Sequence, residues 1–143
     1  MSADEKVSNI GIEPCQDTEL LSRLFLELGE DERSDIKRTQ QQAFEDMEAF
    51  LERGEKAFKF TSDGKTAGYA LVDGSREPFY LHHFYICRAE RRKGAGTAAF
   101  NLLIETLGVR EMDLEVYVWN ERGRAFWNSL GFKPRAIKMR LGQ

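Results

Sequence analysis

The chain has 143 residues, 41% of them hydrophobic, and a formal net charge of −3. That length and composition fit one compact domain, 1–143, with a substantial core. The slight negative charge argues against a nucleic-acid partner, so any anion site must be local. No run approaches the ~20 apolar residues of a membrane-spanning helix. Cys15 and Cys87 share no short metal-type spacing, and Met1–Ile10 shows no apolar signal stretch. Reduced thiols in the cytoplasm, with no metal, are the expectation.

A weakly patterned first strand is expected within Val7–Pro14. Asp17–Leu28 follows as a helix, because Leu20, Leu21, Leu24 and Leu28 recur at helical spacing behind an Asp cap. The polar segment Gly29–Asp35 breaks the pattern. Ile36–Gly54 resumes it with Phe44, Met47, Phe50 and Leu51 on one face and Gly54 as the stop. Phe58 and Phe60 then alternate with lysines, and Asp63-Gly64 is a turn signal, so a hairpin is expected there. Gly64-Lys65-Thr66 resembles the end of a phosphate-binding P-loop, but that motif requires a glycine where Lys59 stands. Pro78–Arg88 reads as an aromatic-rich strand. Phe100, Leu103 and Leu107 mark a helix face ended by Gly108. Met112–Trp119 reads as a strand with Leu114, Val116 and Val118 on one face. Glu121–Gly131 is a short helix, and Arg135–Leu141, alternating Ile137, Met139 and Leu141, is a last strand. The order β-α-α-β-β-β-α-β-α-β implies a mixed α/β sheet flanked by helices, with a crossover from the aromatic strand to the Leu114 strand.

Arg91, Arg92 and Lys93 run into Gly94-Ala95-Gly96 and the start of a helix. Such a helix end offers unpaired backbone N–H groups and a positive dipole, and glycine lets an anion approach closely. A phosphate or pyrophosphate is the natural guest. Two motifs overlap here. Gly94-x-Gly96-x-x-Ala99, with Asp113 and Glu115 further on, formally matches a dinucleotide-binding fingerprint and with it a nicotinamide-dependent oxidoreductase. The long basic lead-in and the short chain that follows oppose it. The other motif is Arg91-x-x-Gly94-x-Gly96, with Ile86 five residues upstream. Downstream, Leu114–Phe132 presents a strand, an Asn, a short helix with an aromatic pair, and Gly-Phe.

These two segments, in this order and spacing, resemble the GCN5-related N-acetyltransferases (GNAT). The resemblance implies a central mixed sheet whose fourth and fifth strands splay apart, and acetyl-CoA as cosubstrate without a metal. It implies that amides of Arg92, Lys93, Gly94, Ala95, Gly96 and Thr97 hold the coenzyme pyrophosphate, with Arg91 placed at the turn. The pantetheine arm would pair with Phe84, Tyr85 and Ile86, whose backbone would also polarise the thioester carbonyl. Asn120 and Phe126 would line the arm's other side.

Amine attack on a thioester needs a neutral amine, yet a free alkylamine has a pKa of ~10.4. A base must take the proton, and backbone donors must stabilise developing oxyanion charge. Glu115 is the candidate base. It lies five residues before Asn120, where the family's ribosomal-protein alanine N-acetyltransferases carry a catalytic glutamate. The family often has a Tyr acid seven residues after the Asn; this chain has Trp127, whose indole N–H does not give up a proton at neutral pH. Trp127 therefore packs on the coenzyme arm, or another group reprotonates the sulfur. Adjacent strand residues face opposite sides, so His82 and His83 are not expected to share a metal ion. Asn120 also suits the N-cap of the following helix. The acidic segment Leu28–Asp35, with Glu45, Asp46 and Glu48, would suit a cationic acceptor if it bordered the cleft.

The reading is an acetyl-CoA-dependent N-acetyltransferase acting on a small-molecule or peptide amine by direct attack in a ternary complex. The alternative, kept open by Trp127, is an acyl-CoA-binding sensor or partner-binding module of the same fold without turnover. Dimers are common in the family, so a homodimer is also open.

Overall fold

The computed structural model describes residues 9–91 and 94–142. Its elements are β1 (Ile10–Pro14), α1 (Thr18–Asp31), α2 (Gln40–Glu52), β2 (Lys56–Ser62), β3 (Lys65–Asp73), β4 (Phe79–Ile86), α3 (Ala95–Leu107), β5 (Met112–Leu114) and α4 (Glu121–Ser129). A single 3-10 turn, Arg88–Glu90, separates β4 from the loop before α3. The strands form one sheet in the order β1-β2-β3-β4-β5. The first three pairings are antiparallel and β4–β5 is parallel. That mixed sheet is the expected α/β architecture, and a doubly wound parallel sheet is ruled out with it.

Local chemistry accounts for the element ends. The Asp17 carboxylate accepts from the Leu20 N–H at the start of α1, and Thr39 and Gln42 form a reciprocal capping box at α2. That box sets the start of α2 at Gln40, so the expected helix from Ile36 is shorter at its front. Asp63 and Gly64 both take positive φ (51° and 80°) in the two-residue turn between β2 and β3, the geometry a right-twisted hairpin requires.

The sheet separates two apolar clusters. On one face Leu21, Leu24, Phe25 and Met47 of α1 and α2 pack on Tyr69, Leu71 and Tyr85. On the other, Ala99, Phe100 and Leu103 of α3 pack on Phe58, Phe60, Ala70 and Leu81, with Trp127 of α4 and Leu130 just after it against them.

Three expectations are corrected. The Met112–Trp119 strand is paired only over Met112–Leu114, and Val118 is 57% exposed. Arg135–Leu141 forms no strand; Ile137 and Met139 are 73% and 86% exposed and Leu141 entirely so. The two histidines do not face opposite sides. Leu71 pairs with His83 but Val72 pairs with Leu81, so β4 carries His82 as an extra residue. This bulge turns both imidazoles toward Phe50 of α2, at centroid distances of 4.6 and 5.5 Å.

Candidate active site

β4 and β5 are held together only at Phe79–Met112, Tyr80–Asp113 and Leu81–Leu114. Beyond Leu81 they part, and Phe84, Tyr85 and Ile86 border the resulting cleft, as do Glu115, Asn120, Phe126 and Trp127 from the β5 side. The expected splay is present. Gly94 caps α3 in the left-handed conformation (φ 74°) with no side chain on the helix end. The first intrahelical bond runs from Ala98 N to Gly94 O. The N–H groups of Ala95, Gly96 and Thr97 therefore project from the helix end at the cleft. Arg92 and Lys93 lie outside the described residues.

Arg91 is committed to the protein. Its Nε donates to the Ile86 carbonyl at 3.0 Å and its Nη1 to Asp31 at 2.7 Å. The same Asp31 oxygen accepts from Arg122 of α4 at 2.7 Å and lies 3.8 Å from Arg88. One carboxylate at the end of α1 thus ties the loop after β4 to the helix after β5. Burial acts to raise the Asp31 pKa, but hydrogen bonds and charge from Arg91 and Arg122 outweigh it and hold the carboxyl below its usual value. Nothing in the sequence spacing pointed to this clamp, because its partners lie 60 and 91 positions away.

Gly96 serves packing. A Cβ there would stand 3.0 and 3.1 Å from Phe126 ring carbons. Phe126 and Trp127 in turn meet Phe84 at centroid distances of 6.0 and 5.3 Å, and Trp127 also meets Phe100 and Phe132. The indole is thus a packing group between α3 and α4. Gly96→Ala should force the Phe126 ring aside and cost about 1–3 kcal/mol, read as a drop of several degrees in Tm; an unchanged Tm would show that the ring yields freely. Asn120 takes both expected positions: its Oδ1 caps α4 by accepting from Gly123 N at 3.0 Å, and the side chain borders the cleft.

Toward the other end of the cleft, Tyr80 donates to Glu115 at 3.0 Å, with the Arg76 guanidinium 4.0 Å above its ring. Burial first, then Glu115, pushes the Tyr80 pKa well up, so the phenol stays protonated. His82 Nδ1 lies 2.9 Å from Glu55, whose side chain is 6% exposed. His83 is buried against Phe25 and bonds Tyr69 at 3.0 Å; burial holds it neutral. The acidic segment does border the cleft through Asp31, Glu32 and Asp35, whereas Asp46 is paired with Arg38. Ser34 reaches the Tyr117 hydroxyl at 3.1 Å, and the Trp119 indole donates to the carbonyls of Glu32 and Arg33. These bonds join the α1–α2 connection to the chain beyond β5. Burial, then the charge of Asp31, raises the Glu32 carboxyl to about 7. Among the described residues no group of three or more His, Cys, Asp or Glu could hold a metal ion. Both cysteines are free thiols. No described helix is long and apolar enough to cross a membrane.

The family model described as the acetyltransferase (GNAT) family matches residues 18–132. The chain belongs to the GNAT acetyltransferase family. Solved structures share the GNAT fold. A possible acetyltransferase from Clostridium difficile 630 aligns with TM-score 0.72 and 19% identity over 94% of this chain and 97% of that one. A ribosomal-protein-alanine N-acetyltransferase from Brucella melitensis gives 0.66 and 18% over 94% and 99%. An aminoglycoside N-acetyltransferase in complex with CoA gives 0.65 and 20% over 92% and 94%. At these identities the likeness is one of fold. Among curated proteins none matches the sequence significantly.

Proposed function

We propose that this GNAT chain transfers the acetyl group of acetyl-CoA to a primary amine by direct attack in a ternary complex. The observation that carries the reading is the α3 helix end, capped by left-handed Gly94 and opening on the cleft where β4 and β5 part. A helix terminus free of side-chain caps beside an open strand edge fits a long, phosphate-bearing thioester.

Acetyl-CoA supplies the electrophile, an acetyl thioester. Amides of Ala95, Gly96 and Thr97 bind the pyrophosphate, and Arg91 holds the loop in place through Ile86 and Asp31. The Ile86 carbonyl is engaged by Arg91, so pantetheine pairing falls mainly on the outward backbone groups of Phe84. The Asn120 amide nitrogen is left available to the arm, and Phe126 and Trp127 form its apolar wall. Glu115 takes the proton from the acceptor ammonium. Trp127 donates no proton; a thiol pKa of ~8.5 lets the sulfur leave as thiolate. The part-buried Glu55–His82 hydrogen bond favours a second proton acceptor, His82, held by Glu55 with its Nε2 directed away from that bond.

Glu32 and Asp35 give the acceptor end a negative character that suits a cationic amine, whether a small molecule or a peptide. With its carboxyl raised to about 7, Glu32 ionises as pH rises through neutrality, so KM for a cationic acceptor should fall over that range. The folded chain keeps a proton that the unfolded chain releases between the ordinary carboxylate range and pH 7, so this group lowers folding stability as pH rises there. Glu32→Gln should flatten both trends, measured as KM and Tm against pH. Unaltered slopes in the variant would remove Glu32 from the account.

The functional test is a panel of amines with acetyl-CoA, scored by thiol release and by mass of the acetylated product. Turnover with at least one amine is the expected result. Coenzyme binding without turnover on any small-molecule, peptide or protein amine would instead favour the sensor reading.

A further inference from the structure

The bulge in β4 sets two imidazoles side by side, and each is fixed by a different neighbour. Tyr69 is fully buried, and its hydroxyl has one hydrogen-bond partner among the described residues, His83 Nδ1 at 3.0 Å. Burial, then the charge of Glu32, keeps the phenol protonated. A buried hydroxyl hydrogen without an acceptor is costly, so Tyr69 donates to Nδ1. Burial, reinforced by His82 and Arg38, keeps the His83 ring uncharged. A neutral ring that accepts at Nδ1 carries its hydrogen on Nε2. Phe25 stacks on that ring at 4.3 Å, and Phe50 and Tyr69 meet it at 5.5 and 5.8 Å, which holds its orientation.

His82 is the opposite case. Its Nδ1 lies 2.9 Å from the Glu55 carboxylate. A carboxylate accepts, so Nδ1 donates, and the neutral ring leaves Nε2 as an acceptor. Both rings border the cleft, and neither Nε2 has a hydrogen-bond partner among the described residues. His83 is 8% exposed, yet no buried polar side-chain atom among the described residues lacks a partner, so its Nε2 opens on the cleft.

β4 thus offers one donor and one acceptor, from rings whose centroids are 4.7 Å apart. An ammonium group has only donors to give and suits His82. It leaves the His83 N–H unanswered unless the same molecule brings an oxygen. Glu32, close enough for its charge to act on Tyr69, disfavours a carboxylate there. We propose that His82 and His83, held in opposite tautomers by Glu55 and Tyr69, select an acceptor amine that bears an uncharged oxygen, hydroxyl or carbonyl, on the adjacent carbon. The amine donates to His82 and the oxygen accepts from His83. The substrate class rests on the acetyl-transfer reading; the paired tautomers do not.

The test is nitrogen NMR of the full, untagged chain, isotopically labelled at histidine and saturated with coenzyme A at mildly alkaline pH. The chain has 2 histidines, so His82→Gln alone assigns both. The expected spectrum shows an Nδ1–H ring at His82 and an Nε2–H ring at His83, and Tyr69→Phe should let His83 populate both tautomers. Alaninol or alaninamide should then shift both Nε2 signals, whereas sec-butylamine, which lacks the oxygen, should leave that of His83 unmoved. In turnover, Tyr69→Phe/His83→Phe replaces both partners by apolar rings of similar shape and orphans no hydroxyl. It should raise KM for alaninol roughly 10-fold and leave KM for sec-butylamine unchanged. An Nδ1–H ring at His83 in the parent overturns the proposal. So does a His83 signal that ignores alaninol and alaninamide, or one that answers sec-butylamine or alanine equally. The expected tautomers and selective binding, without acetylation of any amine, would uphold the pair as a recognition device and fail the acetyl-transfer reading instead.

Discussion

Glu115→Gln is expected to lower kcat for acetyl transfer by roughly 100-fold or more while coenzyme A binding is little changed. The substitution is informative because Gln keeps an oxygen to accept from Tyr80, so the 3.0 Å hydrogen bond and the shape of the cleft survive and only the basicity is removed. The loss should be steepest on the acidic limb of the pH–rate profile, where the acceptor is most fully protonated. His82 is the competing acceptor. Its bulged position and its bond to Glu55 would make His82→Asn the damaging change instead. A Glu115→Gln protein with undiminished kcat across the pH range would transfer the role to His82, and the pair of variants separates the two without reference to coenzyme affinity.

Asp31→Ala is expected to destabilise the fold and weaken coenzyme binding together. The Asp31 and Arg91 side chains are only 15% and 18% exposed, so truncating the carboxylate leaves Arg91 half-sequestered without its counter-charge. Breaking a fully buried pair costs about 3–5 kcal/mol; residual exposure here brings the expectation to about 2–3 kcal/mol, a fall in Tm of roughly 5–10 °C. The Arg91 bond to the Ile86 carbonyl loses its brace at the same time, so the Gly94 loop loosens and the dissociation constant for coenzyme A should rise several-fold. Asp31→Asn, which keeps an acceptor oxygen but not the charge, should fall between. Because the Asp31 carboxyl is held below its usual value, its contribution is present at neutral pH and is lost only as pH falls through that lowered value; the variants should therefore converge on the parent in strong acid. Equal Tm values for parent and Asp31→Ala at pH 7 would show that the clamp contributes nothing.

Much of this fold is legible in the sequence because its signals are local. The Asp17 and Thr39 caps, the Asp63-Gly64 turn and the Gly94 and Gly108 helix limits each act within a few residues. The glycine-led start of α3 was legible for the same reason. Pairing was not. The alternation of Met112–Trp119 and of Arg135–Leu141 specifies a two-faced strand but not the neighbour that covers it, and within one chain most of that length has none. Period-two reasoning also failed at His82, since a bulge is set by the register with β3 rather than by the residue itself. Asp31 and Glu32 were legible only as members of an acidic segment and Glu55 not at all; each acquires its particular role from groups brought together only by tertiary folding. Gly96 was read as room for a phosphate, and its second duty toward Phe126 depends on how α3 and α4 approach.

The most direct test of the central claim is a calorimetric titration of the purified chain with acetyl-CoA, coenzyme A and NADH in parallel. Saturable binding of both coenzyme A species at one site per chain, with no heat from NADH, is the predicted result, and Asp31→Ala should weaken it. Binding of NADH alone, or of none of the three, would contradict the assignment of the Gly94 loop and of the parted strands as the coenzyme A site.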